Sequence, residues 1–128
     1  MDSFTEWISY AKKDLEAAKF LLAMHPKPLE IICYHCQQSA EKALKALILR
    51  NGQYIKKSHD LLLLLQCIAG FVDIDSIKLD CAELTNYSVV TRYPYSFGDS
   101  IDDTRTDKAI ASAEKILNFV LNAISDNK

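Results

Sequence analysis

Apolar side chains recur along this chain at helical intervals, with almost no strand-like alternation. Phe4, Ile8, Ala11, Leu15, Ala18 and Leu22 step by four and three, which lays one apolar stripe along a helix predicted over 3–24. Ser3 and Glu6 have the spacing of a capping box at its start, and the run His25-Pro26-Lys27-Pro28 breaks it. Pro28 suits the first turn of a second helix, which reaches Arg50 and stops at Asn51-Gly52. After a short loop over 53–57, Ser58 is placed to cap a third helix over 59–69, ended by Gly70. Its five consecutive leucines, Leu61 to Leu65, cannot all face one side, so this helix is buried on more than one face or meets a partner. Asp75 is placed to cap a fourth helix over 76–91, because Pro94 turns Tyr93 away from helical geometry. Thr104 and Asp107 resemble another capping box. The helix behind them carries Ile110, Ala113, Leu117, Val120 and Ile124 on one stripe up to 124. The pattern predicts an all-α, antiparallel up-and-down bundle of about five helices, one domain over residues 1–128.

The second helix departs from simple amphipathicity. At about 100° per residue, Leu29, Ile32, Cys36, Ala40, Ala43 and Leu47 form a core-facing arc. His35, Gln38, Lys42 and Lys45 fall in a line up another side, within an arc of roughly 80°. Ile31 and Leu49 share that arc, and Tyr34 and Ile48 are apolar on the side that remains. A helix apolar nearly all round is central in its bundle or sits at an interface. Two readings of the polar line stand. It is a cationic strip that binds phosphate or marks a groove between subunits, since imidazole, amide and ammonium groups together suit an anion. Or it is a solvated face with Glu41 and Lys45 as an i,i+4 pair.

Composition narrows this only slightly. The 128 residues are 49 % hydrophobic and 25 % charged, with three Gly and three Pro. A sandwich or barrel needs more turn formers than that. The net charge of −2 gives no global nucleic-acid signature, yet it is unevenly spread. Lys42, Lys45, Arg50, Lys56 and Lys57 occur between positions 42 and 58 without a single acid, leaving −7 on the rest. His59-Asp60 follows that basic stretch. If it opens the third helix, His59 stands beside free N–H groups that favour an anion; otherwise it merely fills a first turn. Arg92, near the end of the fourth helix, either presents a fork to phosphate or simply complements the helix dipole.

Taken in order, the segment from His35 to Leu47, then Ser58-His59-Asp60-Leu61, then Tyr87 through Thr91-Arg92-Tyr93-Pro94 resemble the HEPN domain family, over nearly the whole chain. The resemblance implies a helical bundle that forms homodimers, often encoded beside a minimal nucleotidyltransferase. It also implies a nucleotide-binding role, or that of the toxin-like half of a toxin–antitoxin pair, with nucleotide or RNA as ligand. Carried onto this sequence, the family's positions are His35, Gln38, Lys42, Lys45, His59 and Arg92, which would line a phosphate-binding groove.

Ribonuclease members of that family carry an Arg with a His a few residues on. Here the only Arg with a His downstream is Arg50, and eight residues separate it from His59. These two flank one loop and are the only pair that could converge as a degenerate ribonuclease site. No catalytic residue is therefore assigned, and a purely structural oligomerisation partner is the remaining alternative. Phosphate-loop, Gly-x-Ser-x-Gly and HExxH motifs are absent, and neither a metal nor a cofactor is expected. The Cys33-x-x-Cys36 pair has no second pair to complete a zinc site and reads as core packing. The longest apolar run, Leu61 to Leu65, is far below the roughly 20 residues a membrane span needs. The acidic start reads as lacking a signal peptide, so a cytoplasmic protein without membrane contact is expected.

Overall fold

The computed structural model describes residues 3–90 and 101–126, with backbone alone at 89, 90 and 126. Helix α1 spans Phe4–Leu21 and α2 spans Leu29–Arg50. Shorter helices follow, α3 (Leu61–Ile68), α4 (Lys78–Leu84) and α5 (Tyr87–Val90), with a 3-10 turn at Asp75–Ile77 before α4. Helix α6, Asp103–Asp126, completes the bundle. No strand occurs among the described residues.

The α1 start forms as its sequence requires: the Glu6 N–H donates to Ser3 Oγ at 3.2 Å and the Ser3 N–H donates to Glu6 Oε1 at 3.0 Å. The helix ends at Leu21, three residues before its predicted end at 24. Helix α2 closes with Gly52 at φ +81°. The Gln53 N–H reaches back to Ile48 O and the Gly52 N–H to Leu49 O, the pair of bonds that defines a Schellman ending.

Three predicted helix starts need correction. Helix α3 is capped by Asp60, not Ser58: the Leu62 N–H donates to Asp60 Oδ1 at 2.9 Å, and the Leu61 N–H donates to Thr85 Oγ1 at 2.9 Å. His59 therefore precedes the helix, and the end proposed for an anion is filled by the chain's own carboxylate and hydroxyl. Asp75 does not cap; its N–H donates to Asp73 Oδ1 at 3.0 Å and it starts the 3-10 turn. Asp102 takes the place expected of Thr104, accepting from the Arg105 N–H at 2.8 Å.

The continuous fourth helix is broken as well. Thr85 and Asn86 form a turn between α4 and α5, and the Thr85 hydroxyl is committed to α3 and to Asp60 Oδ1 at 3.3 Å. The break places Tyr87 inside, 2 % exposed, with its hydroxyl donating to Glu83 Oε2 at 3.1 Å and Arg105 5.5 Å above its ring.

Helix α2 is the centre of the molecule and packs on α1, α3, α4, α5 and α6. That accounts for its apolar circumference: Ile32, Cys33, Cys36, Ala40, Ala43, Leu44, Leu47 and Ile48 are all buried. Helix α1 runs antiparallel to it, because rising positions on α2 meet falling ones on α1. Asp14 contacts His35 and Lys42, Ala11 O accepts from Ser39 Oγ at 2.7 Å, Trp7 meets Lys45, and Phe4 meets Arg50. In α3, Leu61, Leu64, Leu65 and Ile68 face the core while Leu62 and Leu63 stay 42 % exposed, as five leucines in a row must divide.

All four cysteines are free thiols. Burial raises the Cys33 thiol to about 11, the Cys81 thiol to about 12 and the Cys36 thiol higher still, so Cys33 and Cys36 act as small apolar core residues. Among the described residues no group of side chains could hold a metal ion, and no helix is long and apolar enough to cross a membrane.

Candidate functional site

The polar line on α2 resolves into two clusters, each organised by a carboxylate. In the first, Glu41 is 4 % exposed. Its Oε2 accepts from Lys45 Nζ at 2.9 Å. Its Oε1 accepts from Gln37 Nε2 at 3.1 Å and from Gln38 Nε2 at 3.5 Å, and lies 2.9 Å from His59 Nδ1. Burial alone would raise the Glu41 carboxyl, but hydrogen bonds from Lys45, His59 and Gln37 outweigh it and hold the group below its ordinary range. Glu41 is thus an ionised, acceptor-only partner, which makes His59 Nδ1 the donor. The other ring nitrogen, Nε2, is then left to accept a proton or, once protonated, to donate one.

Gln37 holds the other side of this junction. Fully buried, it donates from Nε2 to both Glu41 Oε1 and the His59 carbonyl at 3.0 Å, and its Oε1 accepts from Gln38 Nε2 at 2.8 Å. The base of the loop between α2 and α3 is thereby tied to the middle of α2. The ring of His59 itself is half exposed, its side chain at 51 %.

The second cluster centres on Asp14 of α1. Its Oδ2 accepts from Lys42 Nζ at 2.6 Å and its Oδ1 lies 2.9 Å from His35 Nδ1. His35 packs edge-on to Tyr34, with ring centroids 5.8 Å apart, and Lys42 Nζ lies 5.9 Å from the Tyr10 ring.

Five of the six candidate residues are therefore placed. His35 and Lys42 share Asp14, while Gln38, Lys45 and His59 share Glu41 or its neighbour Gln37. Arg92 lies outside the described residues, as does the Thr91-Arg92-Tyr93-Pro94 segment. With neutral imidazoles each cluster sums to zero charge, so the strip is less cationic than its lysines suggest. Sequence reasoning paired Glu41 with Lys45 but missed Gln37 and Asp14. The signal for Gln37 was present, since 37, 41 and 45 recur at intervals of four on one face. Asp14 gave no such signal, because its partners are on another helix.

The remaining cations of the basic stretch lie beyond the clusters. Arg50 sits 5.5 Å from the Phe4 ring and helps line an open depression of about 290 Å³ with Leu47, Asn51 and Phe71. Lys56 and Lys57 are exposed on the loop leading to His59. The arrangement thus offers a half-exposed imidazole, oriented by a buried carboxylate, at the foot of a basic loop. Such a group can hydrogen-bond a phosphate oxygen or exchange a proton there.

Comparison with known proteins agrees with the helical plan. The sequence profile of the HEPN domain matches residues 4–124. Among solved structures, TT1696 from Thermus thermophilus is 29 % identical, with a TM-score of 0.84 over 95 % of this chain and 98 % of that one. ST0689, an archaeal HEPN homologue, is 27 % identical, with a TM-score of 0.78 over 97 % and 99 % of the two chains. No curated protein matches.

Proposed function

Because the chain belongs to the HEPN domain family, we propose that it is a phosphate-binding helical module that takes a nucleotide at the corner between α2 and α3. The observation that carries this reading is the His59–Glu41 pair, a half-exposed imidazole fixed through Nδ1 by a carboxylate 5 % exposed. In this reading the second ring nitrogen meets a phosphate oxygen, and Lys56 and Lys57 supply charge from the loop. Glu41, Lys45 and Gln37 act as positioning residues, and Lys42 and His35 extend the polar line along α2. Calorimetry with ATP and with inorganic pyrophosphate tests it. Wild type is expected to bind, and His59→Gln to bind about tenfold more weakly, as loss of one charge-assisted hydrogen bond implies. Absence of binding by the wild type, or equal binding by the variant, overturns the proposal.

A homodimer and a minimal nucleotidyltransferase partner, in a toxin–antitoxin-like pair, belong to the same proposal. Exposed Leu62 and Leu63 on α3 support a dimer surface there. Light scattering of a concentrated sample is expected to give twice the 14.5 kDa chain mass, and a monomer refutes this part. A neighbouring reading frame with Gly-Ser followed by Asp-x-Asp would support the enzyme partner.

The oriented imidazole also favours a second reading, metal-independent RNA cleavage with His59 as proton acceptor. RNA cut in the presence of a chelator, and left intact by His59→Ala, is the expected result under that reading. Inert wild-type protein removes it.

A further inference from the structure

The α2–α3 loop has a feature that phosphate binding at His59 does not use. Tyr54 is 98 % exposed, so its ring contributes almost nothing to the packing of the fold. Lys56 and Lys57 beside it are exposed, and among the described residues neither forms an ion pair. Ile55, between Tyr54 and Lys56, is half-buried. The loop is also held at both ends. Gly52 and Gln53 bond back to Leu49 and Ile48, and Gln37 and Glu41 hold the backbone and ring of His59. An aromatic face and two lysines are thus displayed on a tethered segment, in a stretch of chain that carries no acid from 42 to 58.

We propose that this loop is a stacking platform for single-stranded nucleic acid, with Tyr54 under a base and Lys56 and Lys57 on the flanking phosphates. The proposal rests on the phosphate-binding reading of His59 and extends it from a mononucleotide to a strand. Tyr54 and Lys57 are three residues apart, at most about 10 Å of chain, a reach that suits one base and the phosphates flanking it. A lone ring among polar neighbours offers a π-face but no apolar patch to bury. That suits a base, and neither an acyl chain nor a protein core. Stacking of this kind is tolerant of sequence, because every base has a π-face.

Fluorescence anisotropy with labelled 12-residue oligouridine and oligothymidine tests it, alongside calorimetry with pyrophosphate. Tyr54→Ala is expected to weaken both oligonucleotides about tenfold, within the range for loss of one base–aromatic stack. Tyr54→Phe should bind like wild type, and pyrophosphate affinity should be unchanged in both. Joint replacement of Lys56 and Lys57 by Ala should flatten the salt dependence by about 1.4 in log–log slope. Equal affinity for the two strands fits stacking alone, whereas tighter RNA binding adds a contact to the ribose hydroxyl and leaves the platform in place. Oligonucleotide binding unaffected by Tyr54→Ala, or pyrophosphate binding without oligonucleotide binding, overturns the platform but spares the His59 reading. Loss of both ligands from the wild type overturns the two together.

Discussion

Glu41 and Asp14 solve one chemical problem in two different settings. Each carboxylate joins one lysine and one histidine through short contacts. Asp14 lies on α1 and reaches across to two residues of α2, so its cluster is a clasp between helices. Its lysine and histidine keep 26 % and 29 % of their side-chain surface in water. Glu41 lies inside the bundle beside Lys45, the pair 5 % and 9 % exposed, and only the histidine comes from elsewhere. Water can replace a lost partner in the Asp14 cluster and scarcely can in the Glu41 cluster. Identical groups should therefore differ severalfold in what they contribute.

The sharpest way to break this contrast is Glu41→Gln. It strands the Lys45 ammonium in the interior, and a loss of about 3–5 kcal/mol is expected in urea denaturation. A loss below about 1 kcal/mol would mean that Lys45 escapes to solvent and that the two clusters are equivalent. The pH dependence follows from the same group. The Glu41 carboxyl is held below its ordinary value of 4.5 in the folded state, so its contribution is fully present above that value and is lost as the pH falls towards the folded-state value. The stability gap between wild type and Glu41→Gln should therefore be constant from neutrality to about pH 5 and shrink on further acidification; a gap that widens in acid contradicts it. Asp14→Asn should cost only about 1 kcal/mol, because Lys42 and His35 rehydrate. The smallest effect is expected for His59→Gln, about 0.5 kcal/mol of global stability. Its mark should instead be faster amide exchange at 53–60, where the loop loses a tether; unchanged exchange there would place the tether in Gln37 alone.

The long helices were legible because their periodicity is long. Ile8, Ala11, Leu15 and Ala18 are buried as their spacing requires, and Ala113, Leu117 and Val120 likewise. Short elements were misplaced where tertiary bonds compete with local ones. Thr85 spends its hydroxyl on α3, so a helix that reads as continuous breaks there, and Asp60 outcompetes Ser58 for the cap. In the site, His35, Lys42 and Lys45 could be named from their alignment on α2, and His59 from its place after the basic stretch. Their charge balance could not, because Asp14 is distant in sequence from both partners; the spacing aligns Gln37 with Glu41 and Lys45 but does not show its bond to the His59 carbonyl.

The central place of α2 also sets an order of events in synthesis. The α1–α2 pair is local and can associate as soon as residue 50 is free of the ribosome. Yet Cys33 finds Thr106, and α2 gains the cover that α6 provides, only when α6 is made. Through the synthesis of more than fifty intervening residues, an apolar flank of α2 has no permanent cover. Contacts so distant in sequence form late, so α6 acts as the closing piece. A nascent chain halted before residue 103 should depend on a chaperone in a way that the finished chain does not.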